Sequence, residues 1–166
     1  MTGISFEEIM FTIMSATQDT FRNYLGVEIL AGKVEKKVDP VDSDVVGIVG
    51  VAGDRVGYII LAADSTAAVA IAKDLLMMDD PDEESIRDAI GELTNNIAGV
   101  FKTKYHEQYG SVALGLPLIV SGMLRTVSEA GHDQTGASSM NVQCKGVTIP
   151  FKSLDGRFAL RVMVYM

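Results

Sequence analysis

The sequence predicts an α+β fold, in which helices and β-hairpins occupy separate stretches of the chain. Apolar residues recur at helical spacing near the N-terminus and again over a long central segment. Apolar, β-branched runs separated by Gly and Asp lie after the first helix and again at the C-terminal end. No linker-like stretch and no clear sequence repeat interrupts the 166 residues, so residues 1–166 are expected to form a single domain.

Composition narrows the class of protein. With 48% hydrophobic and 22% charged residues, the chain is expected to be globular. A net charge of −8 without a Lys/Arg run argues against nucleic-acid binding. The lone cysteine excludes an intrachain disulfide and fits a reducing compartment. No basic segment precedes an apolar run, and no apolar run reaches membrane-spanning length, so a cytoplasmic protein without a membrane partner is expected.

The first helix has clear start and stop signals. Ser5 is a plausible N-cap, with Glu7 and Glu8 in the first turn, where acids favour the positive end of the helix dipole. Gly26 can end the helix. Residues 27–38 are mixed and are expected to hold two short strands. The apolar positions of the helix are Phe6, Ile9, Met10, Ile13, Met14, Phe21, Tyr24 and Leu25.

A β-hairpin follows. Val45–Val51 and Arg55–Ala62 are apolar and β-branched, with Ala52-Gly53-Asp54 between them. The glycines of this segment do not form a phosphate loop, because no Gly-Lys-Ser/Thr follows them and no helix comes directly after. They are Gly47, Gly50, Gly53 and Gly57.

Two more helices are predicted in the middle of the chain. Asp64 or Ser65 caps the second helix, and Asp79-Asp80-Pro81 breaks it. Met77-Met78 is interpreted as core filler. A long helix then spans Glu83–Tyr109, with Gly110 as its stop.

The C-terminal third is predicted to be mostly strands. Leu116–Val120 is interpreted as an edge strand, because Pro117 cannot donate to a ladder. A polar loop is expected at Ala130–Ser138. The final two strands are expected at Met140–Phe151 and Phe158–Tyr165, turned by Ser153-Leu154-Asp155-Gly156.

The long helix carries the most informative pattern. At about 100° per residue, Asp88, Glu92 and Asn95 cluster opposite the apolar stripe and are expected to point outward. A carboxylate beside an amide can act on another molecule. The core stripe consists of Ile86, Ile90, Leu93, Ile97, Val100 and Phe101.

Small residues are assigned to the same polar side, namely Gly91, Ala98 and Gly99. Glycine inside a helix costs about 1 kcal/mol relative to alanine. Two glycines on an exposed face indicate that another backbone or loop comes close. An ordinary solvated face with two tolerated glycines is the alternative.

These residues match a known signature. Asp88-x3-Glu92-x2-Asn95, with Pro117 twenty-two residues after Asn95, resembles the active-site signature of the CheC/CheX/FliY chemotaxis phosphatases. In CheC the signature appears twice; here the first helix has Thr20 in place of the acid, although Asn23 is present. One intact copy makes the chain resemble CheX.

The resemblance implies a CheC-like fold, with a mixed or antiparallel sheet and long helices packed on one face. It also implies a homodimer, for which the apolar final strands and a strand edge are compatible surfaces. The implied activity is hydrolysis of the aspartyl phosphate of a CheY-like response regulator, which ends the regulator's chemotaxis signal.

Residue roles follow from the same resemblance. Glu92 would pair with the regulator's active-site lysine, and Asn95 would hold the attacking water in line with phosphorus. Asp88 would support the helix face and Pro117 would shape the following segment. Mg²⁺ would come with the regulator, so no cofactor is expected on this chain. The chemistry agrees, since an acyl phosphate is already activated and passes through a loose transition state.

Two alternatives stay open. The chain could be a non-catalytic binding module of the flagellar-switch type, or a phosphatase for a response regulator outside chemotaxis. The other chemistry-bearing residues favour structural interpretations: Cys144 as a buried thiol without a nearby His, and His106 and His132 as isolated structural or surface residues rather than metal ligands.

Overall fold

The computed structural model describes residues 5–36, 41–124 and 146–166. The helices are α1 (Phe6–Thr20), which continues as a π-helical turn (Phe21–Leu25), α2 (Ser65–Leu76) and α3 (Glu83–Gln108). The strands are β1 (Ile29–Ala31), β2 (Val41–Gly53), β3 (Gly57–Ala63), β4 (Val112–Leu114), β5 (Leu118–Leu124), β6 (Gly146–Ser153) and β7 (Ala159–Tyr165).

The described strands form one antiparallel sheet in the order β1-β6-β7-β3-β2, and β4 and β5 both pair with the outer side of β2. This confirms the predicted α+β class. β6 and β7 are interior strands, so the strand edge that is compatible with a homodimer is not one of the two final strands. The edges of the described sheet are β1 on one side and β4 with β5 on the other.

The three helices pack on one face of the sheet, as predicted. Their apolar residues share a core with the alternate strand residues that point toward them, such as Val49, Leu61 and Val162. The opposite face carries a smaller buried cluster of Val46, Ile60, Ala62 and Met163. The sheet is therefore apolar on both sides near its centre, which explains why β2 and β3 show continuous apolar runs.

Local signals set the helix ends. The Ser5 hydroxyl accepts from the Glu8 N–H, and the Glu8 carboxylate accepts from the Ser5 N–H, which forms a capping box and lowers the pKa of Glu8. Gly26 ends the π-helical turn with a φ of 63°. Asp64, rather than Ser65, caps α2, and its carboxylate accepts from the Ala67 N–H at 2.8 Å.

The end of α2 differs from the prediction. The helix stops at Leu76, because Met77 adopts a left-handed conformation, and the chain leaves the helix before Asp79. Met77 is 92% exposed, so its interpretation as core filler is wrong. Met78 is 39% exposed.

Several strand boundaries also differ. Residues 27–36 contain β1 and one isolated bridge from Glu35 to Thr148 rather than two strands. β4 was not predicted, and β5 begins after Pro117 rather than containing it. The predicted loop at 130–138, the strand residues 140–145, His132 and Cys144 lie outside the described residues.

The long helix α3 is seated on β2 through one close contact. Thr94 is fully buried, and its hydroxyl donates to the Ile90 carbonyl at 2.6 Å. Its side chain lies directly over Gly47, where an added Cβ would meet the Thr94 Oγ1 and would lie 3.0 Å from the Thr94 Cβ. Glycine at position 47 therefore lets α3 approach the strand.

Replacing Gly47 with Ala is expected to destabilise the fold by about 2 kcal/mol, since overpacking a core typically costs about 1–3 kcal/mol. Urea unfolding monitored by circular dichroism measures the change. Gly50→Ala is the matched control: Gly50 lies in the same strand, and an added Cβ there meets nothing within 4 Å. Equal unfolding midpoints for the two variants would contradict this account of α3 packing.

Candidate functional site

Asp88, Glu92 and Asn95 are exposed on α3, as the periodicity predicts. The residues between them are buried, among them Ala89, Ile90, Leu93 and Thr94 at 0% exposure. The three polar side chains follow one another at four- and three-residue intervals, so they form a continuous outer stripe. We call this stripe the acid–amide face.

The acid–amide face is unoccupied in the described part of the chain. Among the described residues, none forms a hydrogen bond or salt bridge with Asp88, Glu92 or Asn95. The nearest cation in sequence, Arg87, is 3.6 Å from Glu83. Two carboxylates and an amide therefore remain available to a second molecule.

Gly91 does not belong to the exposed face, which corrects the prediction. It is buried, and an added Cβ would lie 3.2 Å from the Ile119 Cδ1 of β5. Ala98 is also fully buried. The close approach inferred at Gly91 is real, but it is made by this chain's own edge strand rather than by a partner.

Gly99 is different. It is half-buried, lies one turn after Asn95, and an added Cβ would meet nothing within 4 Å. Nothing in the described chain therefore requires glycine at this position. Its backbone carbonyl accepts from the Thr103 hydroxyl at 3.1 Å, so the helix continues through it. An interior glycine costs about 1 kcal/mol, so close approach by a partner and an ordinary tolerated glycine are the two explanations that the described chain leaves open.

Pro117 lies in a β-bulge at the outer edge of the sheet. Val51 pairs with Leu114 in β4, and Ile48 pairs with Leu118 in β5. Two residues of β2 therefore face three residues of the edge strand, which are Gly115, Leu116 and Pro117. The Gly115 N–H still donates to the Gly50 carbonyl at 2.9 Å. Without the prediction of β4, this bulge could not be recognised from the sequence.

The bulge changes which residues face α3. Leu114 packs on the main core before the bulge, and Ile119 packs on it after the bulge. Strict alternation from Leu114 would instead have turned the side chain of Leu118 toward the main core. Leu118 and Val120 fall on the opposite face, beside Ile48 and Val46. Pro117 suits the irregular position because it has no N–H to leave unpaired.

The first helix does not form a second copy of the acid–amide face. Thr20, at the position of the missing acid, is buried and donates its hydroxyl to the Ala16 carbonyl at 2.7 Å. Asn23 is exposed, but it lies in the π-helical turn rather than in α1. Nearby Asp19 is engaged with Lys104 of α3 at 2.9 Å.

Metal sites, membrane-spanning helices and ligand grooves each place requirements on the described residues. No group of three or more His, Cys, Asp or Glu residues there could hold a metal ion, and His106 is exposed. No helix in the described ranges is long and apolar enough to cross a membrane. Two surface grooves, of about 610 and 690 Å³, lie away from the acid–amide face, one beside Asp74 and Arg157 and the other beside Leu30 and Arg161.

The chain resembles several solved structures. A chemotaxis protein CheX from Desulfovibrio desulfuricans is 22% identical, with a TM-score of 0.79 over 96% of this chain and 99% of that chain. A CheX–CheY–BeF₃–Mg²⁺ complex from Borrelia burgdorferi is 25% identical, with a TM-score of 0.69 over 95% and 96%. FliY from Thermotoga maritima is 18% identical, with a TM-score of 0.59 over 99% and 91%. These likenesses confirm the predicted CheC-like fold.

No curated protein sequence matches the chain. The family model described as chemotaxis phosphatase CheX matches residues 45–152, a span that holds most of β2, all of β3 and α3, and the bulge at Pro117. The match covers more than half of the 166 residues and includes all four signature positions. The chain therefore belongs to the chemotaxis phosphatase CheX family.

Proposed function

We propose that the protein is a phospho-aspartyl protein phosphatase that dephosphorylates a CheY-like response regulator and so ends its signal. The observation that carries the proposal is the exposed, unpartnered acid–amide face on a rigid helix of a CheX-family chain. The relative from Borrelia, solved with CheY, BeF₃ and Mg²⁺, supports a regulator as the partner.

Asn95 acts on the attacking water. Its neutral amide holds the water in line with phosphorus, while the bond between phosphorus and the aspartyl oxygen breaks. The products are the regulator's free carboxylate and inorganic phosphate, and the water's proton passes to phosphate or solvent. A base is not needed, because the acyl phosphate already has a good leaving group. Mg²⁺ enters with the regulator, and this chain binds no cofactor of its own.

Glu92 directs docking. It lies one turn before Asn95 on the same stripe and pairs with the regulator's active-site lysine, which leaves the amide beside the phosphoryl group. Asp88 extends the negative charge of the face by one more turn. No cation of the described chain competes for Glu92, so its charge is available for this pair.

Three further residues, Gly91, Pro117 and Gly99, support the acid–amide face. Gly91 admits Ile119 against α3, and Pro117 holds the bulge that brings Ile119 into position. Gly99 leaves bare backbone one turn beyond Asn95, where the regulator approaches closely. We further propose that residues 1–166 form one domain and that the protein acts in the cytoplasm. Its partner is a CheY-like regulator, and neither nucleic acid nor a membrane is among its proposed partners.

The alternative functions differ in the partner and in turnover. The main competitor is a non-catalytic binding module of the flagellar-switch type, which would bind a partner without accelerating dephosphorylation. A regulator outside chemotaxis would use the same residues and differ only in identity. Both alternatives are decided by turnover measured on the response regulators of the host.

Asn95→Ala is expected to lower kcat about a hundredfold, because the water loses its orientation. Glu92→Ala is expected to lower kcat/KM about tenfold or more, mainly through KM, because a docking charge pair is lost. Both variants should unfold at the wild-type temperature, since both side chains are exposed. The measurement is phosphate release from a phosphorylated CheY-like regulator.

Two exposed residues outside the face serve as matched controls. Asn23→Ala removes an asparagine from the end of the first helix, and Glu107→Ala removes a glutamate from α3 itself. Both should keep wild-type turnover. Full activity in Asn95→Ala or Glu92→Ala would show that the assigned site is wrong, and a wild type that accelerates no regulator would favour the binding module.

Gly99→Ala is expected to separate stability from activity. The methyl group meets nothing in the described part of the chain, so the free energy of unfolding should rise by about 1 kcal/mol. The same methyl group should raise KM for the regulator, because it fills the space into which the partner packs. Thermal unfolding and steady-state kinetics measure the two effects, and a stabilised variant with unchanged KM would remove Gly99 from the docking surface.

We also propose a homodimer. The interior position of β6 and β7 leaves the β4–β5 edge and the β1 edge as the strand edges available for pairing in the described chain. Light scattering should give twice the mass of the chain at micromolar concentration. A monomer mass across that range would contradict the proposal.

A further inference from the structure

Leu116 stands out among the large apolar side chains near α3. It is 92% exposed, whereas its neighbours in the edge strand, Leu114 and Ile119, pack on the main core. Leu116 is a residue of the bulge between β4 and β5, and bulges commonly redirect a side chain away from the ladder. The exposure therefore follows from the backbone geometry of a conformationally restricted segment and not from a loose loop end.

The position of Leu116 along α3 can be found from two contacts. At one end, Ile119 packs on Gly91. Leu116 lies three residues earlier, in the bulge between two extended strands, so it is about 10 Å from Ile119 along the edge of the sheet, which corresponds to about six or seven residues of helix. Since α3 and the edge strand run antiparallel, this places Leu116 level with residues 97–98.

The connection between α3 and β4 gives a similar position for Leu116 along α3. Three residues separate the end of α3 at Gln108 from the start of β4 at Val112. Leu116 lies four residues into the edge strand, about 13 Å, and about nine helical residues back from Gln108 reach Gly99. Leu116 therefore flanks the turn of α3 that contains Gly99, one turn beyond Asn95.

We propose that Leu116 is an apolar docking contact for the same response regulator that meets Glu92 and Asn95. The inference rests on the proposed function. The regulator, once paired with Glu92, must pass over the bare backbone of Gly99, and the edge-strand side of that gap is bordered by an exposed leucine held in place by Pro117. An apolar contact beside the polar pair fixes the orientation of the partner and excludes water from one side. Pre-organisation by the bulge reduces the entropy lost on docking.

The test is the effect of Leu116→Ala on binding and turnover. Truncation removes three carbon groups that become partly buried on docking, and we expect KM for the phosphorylated regulator to rise about tenfold, with kcat at saturation unchanged. Leu116→Met, which conserves volume, should keep a KM close to wild type. Thermal unfolding should be unchanged in both variants, because the side chain is exposed in the free protein.

Leu154→Ala is the matched control. Leu154 is 66% exposed in the turn between β6 and β7, on strands that lie far from β5 in the sheet order. Its truncation should leave KM unchanged. A wild-type KM in Leu116→Ala, or a fall in kcat without a change in KM, would overturn the docking inference.

A binding measurement separates this inference from the proposed function. Calorimetric titration of the regulator in BeF₃ and Mg²⁺, the components of the Borrelia complex, reports docking without hydrolysis. Wild type that binds but never accelerates dephosphorylation would refute the phosphatase, and a tenfold weaker Leu116→Ala would still support the docking contact. Equal binding by wild type and Leu116→Ala would refute the contact whether or not hydrolysis occurs.

Discussion

The seating of Thr94 on Gly47 is the constraint on which the acid–amide face depends. The apolar stripe of α3 sets the rotation of the helix on the sheet broadly, and the fit of buried Thr94 over Gly47 of β2 fixes it closely. Asn95 is the next residue and Glu92 is two residues earlier, so both are turned away from the sheet once Thr94 is fixed. The outward direction of the polar side chains is therefore a result of core packing.

The sequence predicts what local physics determines. The capping residues Ser5 and Asp64 and the 3.6-residue period of α3 depend on near neighbours only, and the observed starts of the helices and the outward direction of Glu92 agree with them. The burial of Gly91 depends on β5, which approaches from nearly thirty residues away. The bulge depends on a register between β2 and a strand sixty residues later, so no local pattern could reveal it.

An exposed site on a packed helix separates the requirements of folding from those of recognition. Glu92 and Asn95 contribute no described contact to the fold, whereas Thr20 in the first helix is buried and bonded to its own backbone. A side chain at position 20 that carried a charge would have to be buried without a partner, which is strongly unfavourable. Position 20 of the first helix is thus part of the core, whereas the matching position of α3, Glu92, is exposed.

The bulge between β4 and β5 also absorbs one residue of length without changing which side of β5 meets the helices. Because side chains alternate strictly along a strand, one extra residue in a regular ladder exchanges the two faces of every residue that follows. Loss of a single residue between Leu114 and Leu118 would leave two residues opposite two of β2, so the ladder would become regular and Ile119 would still face the helices. Such a deletion would therefore alter the exposed segment around Leu116 and leave the packing of β5 in place.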